Sequence, residues 1–276
     1  MKKIDIRFID SGYNNGYLNM AIDEILSLKL MKKETLPILR FYQWNPPCLS
    51  LGYFQDPLKE VDFEGLKKHG VTLVRRLTGG RAVLHDIEIT YSIIIPSNVE
   101  WISSSITESY KFISIALLNG LKNLGIKADL SKPQNIKNTF KTSACFDSTS
   151  SYELAVNGKK IIGSAQRRFN GILLQHGSIP IKLNEDKLFD LLKIEPIERK
   201  NSLKNYFKEK ATSLEDELKY IPEIGKIKKA FFEGFKESLP INIIDDKLTN
   251  NEIKESQELS NIKYSTDEWN IVRKKL

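Results

Sequence analysis

The sequence predicts an α+β protein in which helices flank a mixed or antiparallel β-sheet, followed by a helical C-terminal extension. Two Asn-Gly pairs, at residues 157–158 and 170–171, separate three runs of extended-chain residues, and Asn-Gly favours the tight turn of a β-hairpin. Predicted strands and helices do not alternate regularly, as they would in a parallel α/β fold. After about residue 183 the pattern becomes helical and charged. We therefore predict a first domain at residues 1–215 and a helical extension at residues 216–276.

The first half of the chain supplies most of the predicted helix and strand signals. Apolar residues at helical spacing predict a helix over residues 19–33, with Asn19 as its N-cap. A second helix is predicted over residues 57–69, because Gly70 suits a helix end. The longest helical pattern covers residues 103–124. Apolar and β-branched runs predict strands at residues 37–44, 48–53, 71–76 and 87–95.

The second half begins with a polar, irregular segment at residues 131–143, which is predicted to be a loop. A three-stranded meander is predicted to follow over residues 151–180. Further helices are predicted near residues 185–193, 222–237 and 250–260.

Composition and charge exclude several classes of protein. The 276 residues are 41% hydrophobic and 28% charged, which is ordinary for a soluble protein. No apolar run approaches the roughly 20 residues of a membrane-spanning helix, and charges interrupt the N-terminal apolar stretch, which argues against a secretory signal. We therefore predict a cytoplasmic protein. Two cysteines and three histidines are too few for a disulfide framework or a structural zinc cluster. The net charge of +7 fits either a lysine-rich surface or an acidic partner, and no nucleic-acid-binding motif is present.

Residues 75–86 (RRLTGGRAVLHD) contain the first candidate site. The two adjacent glycines allow a close approach of backbone to ligand, and successive N–H groups in such a turn can hold a carbonyl oxygen or an anion. An ordinary tight turn between strands is the alternative. Since neighbouring strand residues point to opposite faces, only one of Arg75 and Arg76 should reach a given pocket. His85 is either an acid–base group or, as the favoured interpretation, a hydrogen-bonded structural residue.

The two cysteines lie in different settings. Cys145 lies in SACFDS, between the polar segment and the meander. A thiol can be reactive in such an accessible, polar setting. Cys48 lies in an apolar strand, where a cysteine acts as a small hydrophobic residue, and is interpreted as structural.

Lys160 begins the central strand of the predicted meander. Strand alternation predicts one face with Lys160, Ile162, Ser164 and Gln166, and the other with Ile161, Gly163 and Ala165. A surface lysine at a hairpin end is the ordinary interpretation. The functional interpretation is an ammonium that enters a pocket floored by the small residues 163–165 and lowers the pKa of a thiol from its usual value near 8.5.

Five stretches together resemble the lipoate/biotin protein ligase superfamily, in the order in which that superfamily carries them. They are NMAIDE (19–24), LSLGYFQ (49–55), RRLTGGRAVLHD (75–86), ACFDSTSSYELAVNGKKIIGSAQRR (144–168) and LLQHGSIPI (173–181). ACFD followed by KxxGSAQ resembles the cysteine-type octanoyltransferases of the superfamily. The ATP-dependent ligases usually carry a third glycine where this chain has Arg81.

The resemblance implies a function and a set of site residues. Cys145 would carry an acyl-thioester, and Lys160 would lower the pKa of its thiol. The implied acyl- and substrate-binding residues are Arg76, Thr78, Gly79, Gly80, His85, Gly163, Ser164 and Ala165. The implied reaction moves an octanoyl group from octanoyl-acyl carrier protein to a lysine of a lipoyl domain, such as that of glycine cleavage H protein, in lipoate biosynthesis. It requires no cofactor and no metal, and the expected partners are proteins with acidic faces, not nucleic acid or a membrane.

Three other functions stay open on the sequence. An ATP-dependent lipoate or octanoate ligase would share the fold and the TGG turn but would not need Cys145. An octanoyl amidotransferase would use the same cysteine but take its acyl group from another lipoyl domain. A non-catalytic binding module would hold acyl groups or lipoyl domains without turnover.

Overall fold

The computed structural model describes residues 2–131 and 153–273 of the chain. These residues form a mixed sheet of eight strands and a smaller sheet of three. Helices pack on both faces of the large sheet. The predicted α+β class, with helices flanking a mixed sheet, is confirmed.

The strands are numbered in chain order. They are β1 (Ile4–Asn14), β2 (Ile38–Trp44), β3 (Cys48–Leu51), β4 (Thr72–Arg75), β5 (Val83–His85), β6 (Glu88–Pro96), β7 (Asp129–Ser131), β8 (Glu153–Val156), β9 (Lys159–Phe169), β10 (Ile172–Pro180) and β11 (Ile241–Asp246). The large sheet has the order β11-β1-β2-β6-β10-β9-β8-β7, in which only the two pairings made by β1 are parallel among the described strands. The small sheet has the order β4-β3-β5, with β3 parallel to β4 and antiparallel to β5.

The helices are also numbered in chain order. They are α1 (Gly16–Met31), α2 (Pro57–Glu60), α3 (Phe63–His69), α4 (Ile106–Asn123), α5 (Glu185–Asp190), α6 (Ile197–Lys210), α7 (Leu214–Leu218), α8 (Ile224–Ser238), α9 (Asn250–Leu259) and α10 (Asp267–Asn270), with a π-helical turn at Ser260–Tyr264. The apolar cluster on one face of the large sheet includes residues of α4 and α8, and the cluster on the other face includes residues of α1 and the C-terminal segment. A third apolar cluster joins the small sheet to α3, α5 and α6.

Two predicted helix boundaries are wrong, and capping explains both. Asn15, not Asn19, caps α1: its side chain accepts a hydrogen bond from the backbone N–H of Leu18 at 2.9 Å. Asn19 lies inside the helix and is fully buried, where its amide donates to the carbonyl oxygen of Gln43 at 3.0 Å. The helix predicted over residues 57–69 is divided into α2 and α3, because Asp62 caps a new helix by accepting from the N–H of Gly65 at 2.9 Å.

The predicted meander is confirmed as β8, β9 and β10. Asn157 and Gly158 have φ angles of 49° and 80°, and Asn170 and Gly171 have 49° and 77°. Positive φ at both central residues is the requirement of the two-residue turn that Asn-Gly favours.

The C-terminal part is joined to the rest of the fold. Helices α8 and α9 lie close to the predicted ranges, but residues 241–246 form a strand that the sequence did not predict, and this strand pairs with β1 in parallel. Phe231 and Phe235 of α8 belong to the core beneath α4. The domain boundary near residue 215 stays a prediction. Within the ranges given above, the helices lack the combination of length and apolar character that crossing a bilayer requires.

Candidate functional site

A cleft lies between the small sheet, with its Gly-Gly turn, and the large sheet at β9 and β10. It contains about 430 Å³ of empty space, including its open mouth. Its lining includes six of the eight binding residues implied by the resemblance: Arg76, Gly80, His85, Gly163, Ser164 and Ala165. Segments far apart in the sequence therefore meet at one cavity.

The other two predicted residues lie next to this cleft. Thr78 is fully buried, and its hydroxyl is hydrogen-bonded to His176 Nε2 at 2.6 Å. Gly79 lines an adjoining groove. Gly80, Gln166 and the first turn of α4 also line this groove. The Gly-Gly turn thus separates a narrow cleft from a more open groove.

Backbone packing explains why glycine is needed at this turn. Gly80 has a φ of +93°, a conformation that other residues rarely adopt. A Cβ added to Gly52 would lie 1.9 Å from the carbonyl oxygen of Gly80. The backbone N–H of Tyr53 also donates to the carbonyl oxygen of Thr78 at 2.8 Å. The loop after β3 therefore fixes the position of the turn through backbone contacts.

Arg75 and Arg76 point in opposite directions, as strand alternation predicts. The guanidinium of Arg76 lines the cleft and donates to the carbonyl oxygens of Ser50, Gly79 and Arg81 at 2.9, 2.8 and 2.7 Å. The guanidinium of Arg75 donates to the carbonyl oxygens of residues 52, 53, 55, 269 and 270. Arg76 therefore supports the Gly-Gly turn from the cleft side, and Arg75 supports the preceding strand from the other side.

His85 is held at both ring nitrogens. Nδ1 lies 2.9 Å from Oε1 of Glu88, and Nε2 lies 2.8 Å from the hydroxyl of Ser50. The ring stacks on Trp44 with a centroid distance of 3.9 Å. The structure therefore has the hydrogen-bonded histidine of the favoured interpretation, while the same ring lines the cleft.

Glu88 is the buried acid of this arrangement, and the sequence analysis did not select it. It also accepts hydrogen bonds from the hydroxyls of Thr90 and Ser178. Burial alone would raise the pKa of Glu88, but the charge and hydrogen bond of His85, with the two hydroxyls, hold it below its ordinary value. A carboxylate, an imidazole and the Ser50 hydroxyl thus form a connected chain that can hold or move a proton at the cleft wall.

His176 is a second histidine that the sequence analysis did not select, although it lies in the stretch LLQHGSIPI. Its ring lines the cleft between Thr78 and Asp23, whose Oδ2 lies 3.7 Å from His176 Nδ1. Burial lowers the pKa of His176, although Asp23 acts in the opposite direction. Burial would raise the pKa of Asp23, but the neighbouring Arg40 guanidinium, 2.8 Å away, holds it below its ordinary value.

The remaining wall of the cleft is mainly apolar. Met20, Tyr42, Trp44 and Val83 contribute to it. The sequence analysis placed Met20, Tyr42 and Trp44 in predicted elements and Val83 in the candidate site at residues 75–86, but it had no signal for the direction of their side chains into a cavity. Apolar walls with a few polar groups are typical of small-ligand sites.

Lys160 is buried, with 6% of its surface exposed, and its Nζ donates to Oε1 of Glu153 at 2.7 Å. The predicted face of Lys160 is wrong because β9 contains a β-bulge. Ala155 pairs with Lys160, whereas the next residue back, Leu154, pairs with Ile162, so Ile161 is an extra residue. The bulge reverses the alternation and places Lys160 on the face of Gly163 and Ala165, not with Ser164 and Gln166.

Cys145 lies outside the described residues, so its predicted role stays a prediction. Cys48 is fully buried in the cluster beneath α1, and burial raises the pKa of its thiol to about 12. This environment agrees with the structural interpretation of Cys48. Over residues 2–131 and 153–273, no group of three or more His, Cys, Asp or Glu side chains is placed to hold a metal ion.

Comparison with known proteins identifies the class to which this fold and cleft belong. Residues 15–236 match the family described as the lipoyl protein ligase A/B catalytic domain. The chain belongs to that family.

The most informative relatives match over nearly the full chain. Octanoyltransferase LipM of Bacillus subtilis (strain 168) is 42% identical over 280 residues, covering 99% of this chain and 100% of the relative. Octanoyltransferase LipM of Carboxydothermus hydrogenoformans is 45% identical over 263 residues, covering 95% and 97%.

Solved structures of lipoate ligases share the fold. A chain from the bi-partite lipoate protein ligase and E2 lipoyl domain of Thermoplasma acidophilum superposes with a TM-score of 0.80 at 27% identity, covering all of both chains. Lipoate-protein ligase A bound with ATP superposes with a TM-score of 0.76 at 28% identity, covering 98% of this chain and 99% of the other.

Proposed function

We propose that this protein is an octanoyltransferase of lipoate biosynthesis that moves an octanoyl group to a lysine of a lipoyl domain through an acyl-thioester on Cys145. The observation that carries the proposal is the full-length similarity to octanoyltransferases LipM, at 42% and 45% identity in the two relatives above. The chain also retains the ACFD and KxxGSAQ motifs that resemble the cysteine-type enzymes.

The cleft has the chemistry that an acyl group needs. Met20, Tyr42 and Trp44 supply an apolar wall for the hydrocarbon tail. We propose that backbone N–H groups, either at the Gly-Gly turn or near Cys145, hold the carbonyl oxygen as it becomes an oxyanion. Small residues at 163–165 leave room for the acyl chain to pass over β9.

The proposed reaction has two steps. First, the Cys145 thiolate attacks the octanoyl thioester of acyl carrier protein. The tetrahedral intermediate collapses to an acyl-enzyme and the carrier thiolate, which takes up the proton that the Cys145 thiol lost on ionisation. Second, the amine of the acceptor lysine attacks the acyl-enzyme, forming an amide and releasing the Cys145 sulfur, which recovers its proton from the amine. We propose that the Lys160 ammonium stabilises the thiolate in both steps.

We propose acyl carrier protein as donor and the lipoyl domain of a protein such as glycine cleavage H protein as acceptor. The net charge of +7 supports protein partners with acidic faces, because opposite charge speeds their encounter. A reducing compartment keeps thiols such as Cys145 reduced, and we propose the cytoplasm. Cofactor and metal have no role in the proposed steps.

An ATP-dependent ligase is the second candidate. Its support is the superposition with lipoate-protein ligase A bound with ATP. Arg81 stands where such ligases usually carry a third glycine, and for this reason we place the transferase first.

Intact-mass analysis after mixing with octanoyl-acyl carrier protein, without ATP, tests the proposal. The wild-type chain should gain one octanoyl group, Cys145→Ala should gain none, and the control Cys48→Ala should still gain one. A mass gain that requires ATP would support the ligase instead. Acylation by an octanoylated lipoyl domain but not by the carrier protein would identify an amidotransferase.

A further inference from the structure

Glu153 and Lys160 form a buried ion pair across the first hairpin of the meander. Their oxygen and nitrogen atoms lie 2.7 Å apart, and the side chains are only 5% and 7% exposed. The backbone N–H of Thr212 donates to the carbonyl oxygen of Lys160 at 2.9 Å, so the chain after α6 covers this part of β9. Burying two charges carries a desolvation penalty that only a well-matched pair offsets. An ion pair at a buried position is therefore often retained at a cost in stability.

The bulge at Ile161 gives both side chains the same orientation. Leu154 and Ile162 are paired and belong to the core beneath α4. Residues adjacent to Leu154 in β8 must then face the opposite side, which is the cleft side of the sheet. Glu153 is one of them, and Lys160 is directed to the same side by the bulge. If the same sequence ran here as an unbroken strand, Lys160 would lie on the face of Ile162 and point into the apolar core.

We propose that Glu153 is a positioning residue that holds the Lys160 ammonium charged and directed to the cleft face. This inference rests on the proposed function, in which that ammonium stabilises the thiolate of Cys145. Burial disfavours the charged form of an amine, and a carboxylate in contact restores it.

The test measures the reactivity of the thiol directly and needs no acyl donor. The rate at which iodoacetamide alkylates Cys145 at neutral pH is followed by intact mass in the full-length protein, with peptide mapping to separate any adduct on buried Cys48. Glu153→Gln should slow alkylation about tenfold, the effect of roughly one pKa unit in a thiol that is mostly protonated. Glu153→Asp, which keeps the charge, should recover most of the wild-type rate.

A double-mutant cycle separates positioning from a merely structural role. If Glu153 acts through Lys160, then Glu153→Gln should have no further effect in a Lys160→Met background. Glu252→Gln is the matched control: it removes another buried carboxylate, 2.7 Å from Arg7 at the opposite edge of the sheet, and should leave alkylation unchanged.

Two results would overturn the inference. One is that Glu153→Gln is alkylated at the wild-type rate. The other is that the fold decrease in alkylation rate of the double variant equals the product of the fold decreases of the two single variants. If thermal unfolding shows that Glu153→Gln does not fold, Glu153→Asp and the double variant Glu153→Gln/Lys160→Met are used in its place. The inference would also be rejected if Glu153→Asp folds but is alkylated as slowly as Lys160→Met. If the wild-type protein is alkylated as expected but accepts no octanoyl group, the proposed function fails and the result for Glu153 still stands.

Discussion

Arg75 donates two hydrogen bonds to Asn270, one from its backbone N–H to Oδ1 and one from its guanidinium to the carbonyl oxygen, both at 2.8 Å. In the reverse direction, the indole N–H of Trp269 donates to the carbonyl oxygen of Arg75 at 2.8 Å. Strand β4 is at the edge of the small sheet, and an edge strand leaves backbone groups unpaired. The C-terminal segment satisfies those groups immediately before the Gly-Gly turn.

The substitution Asn270→Ala should lower the free energy of unfolding by about 1–3 kcal/mol. It leaves the buried N–H of Arg75 without its side-chain acceptor, and an unsatisfied buried donor has a penalty of that size. Urea denaturation measures the change, with the exposed Asn261→Ala as control. Equal losses in the two variants would show that the contact with Arg75 contributes nothing specific.

Among the glycines near the turn, Gly79 should tolerate alanine, while Gly52 and Gly80 should not. A Cβ on Gly79 meets nothing within 4 Å, whereas one on Gly52 would overlap the Gly80 carbonyl, and Gly80 has a φ of +93°. We expect Gly80→Ala to lose about 1–2 kcal/mol from backbone strain and Gly52→Ala to lose about as much or more from overpacking. Thermal unfolding of the three variants tests this order, and a Gly79→Ala variant as unstable as the other two would contradict it.

The Lys160→Ala variant should fold but become acylated slowly at neutral pH. In the proposed mechanism, loss of the ammonium returns the thiol toward its ordinary pKa. We therefore expect a rate at least about tenfold lower near pH 7 and partial recovery at higher pH, where the thiolate forms unaided. Lys159→Ala, a change at the exposed neighbour, is the control. Acylation rates measured against pH decide the matter, and unchanged kinetics in Lys160→Ala would remove the lysine from the mechanism.

His176 should make the folded state less stable as the pH falls. Its pKa is lowered by burial, so below its ordinary value near 6.5 the unfolded chain binds a proton that the folded chain does not. The free energy of unfolding should therefore keep its full value above about pH 6.5. Below that pH it should fall by at most roughly 1.4 kcal/mol per pH unit, until the pH reaches the lowered pKa of His176.

Urea denaturation of His176→Gln across this range provides the measurement. The variant should show a shallower dependence on pH than the wild-type protein. Identical slopes for His176→Gln and the wild type would exclude a contribution from His176.

Local patterns predicted the features of this fold that depend on a few adjacent residues. The Asn-Gly pairs predicted both turns of the meander, and strand alternation correctly predicted that Arg75 and Arg76 point to opposite sides. Motifs found five segments, of which those at residues 75–86 and 144–168 supply six predicted residues to one cleft. Each of these signals is short-range in the sequence.

Features that depend on distant partners were not predictable in this way. The bulge at Ile161 exists only in the pairing of β9 with β8, and it reversed the predicted face of Lys160. His176 gains its setting from Thr78, which is 98 positions away, and from Asp23 in another element. The pairing of β11 with β1 joins a strand in the C-terminal part to the first strand of the chain, which no local pattern reports.

The bulge in β9 also has a consequence for the comparison of sequences. In an unbroken strand, a lysine three places before Gly163 would lie on the opposite face of the sheet from Gly163. Here the extra residue of the bulge reverses the alternation, so that Lys160 and Gly163 lie on the same face although they are three places apart. A relative with the same KxxG spacing but an unbroken strand here would keep every letter of the motif and still turn its amine away from the small residues.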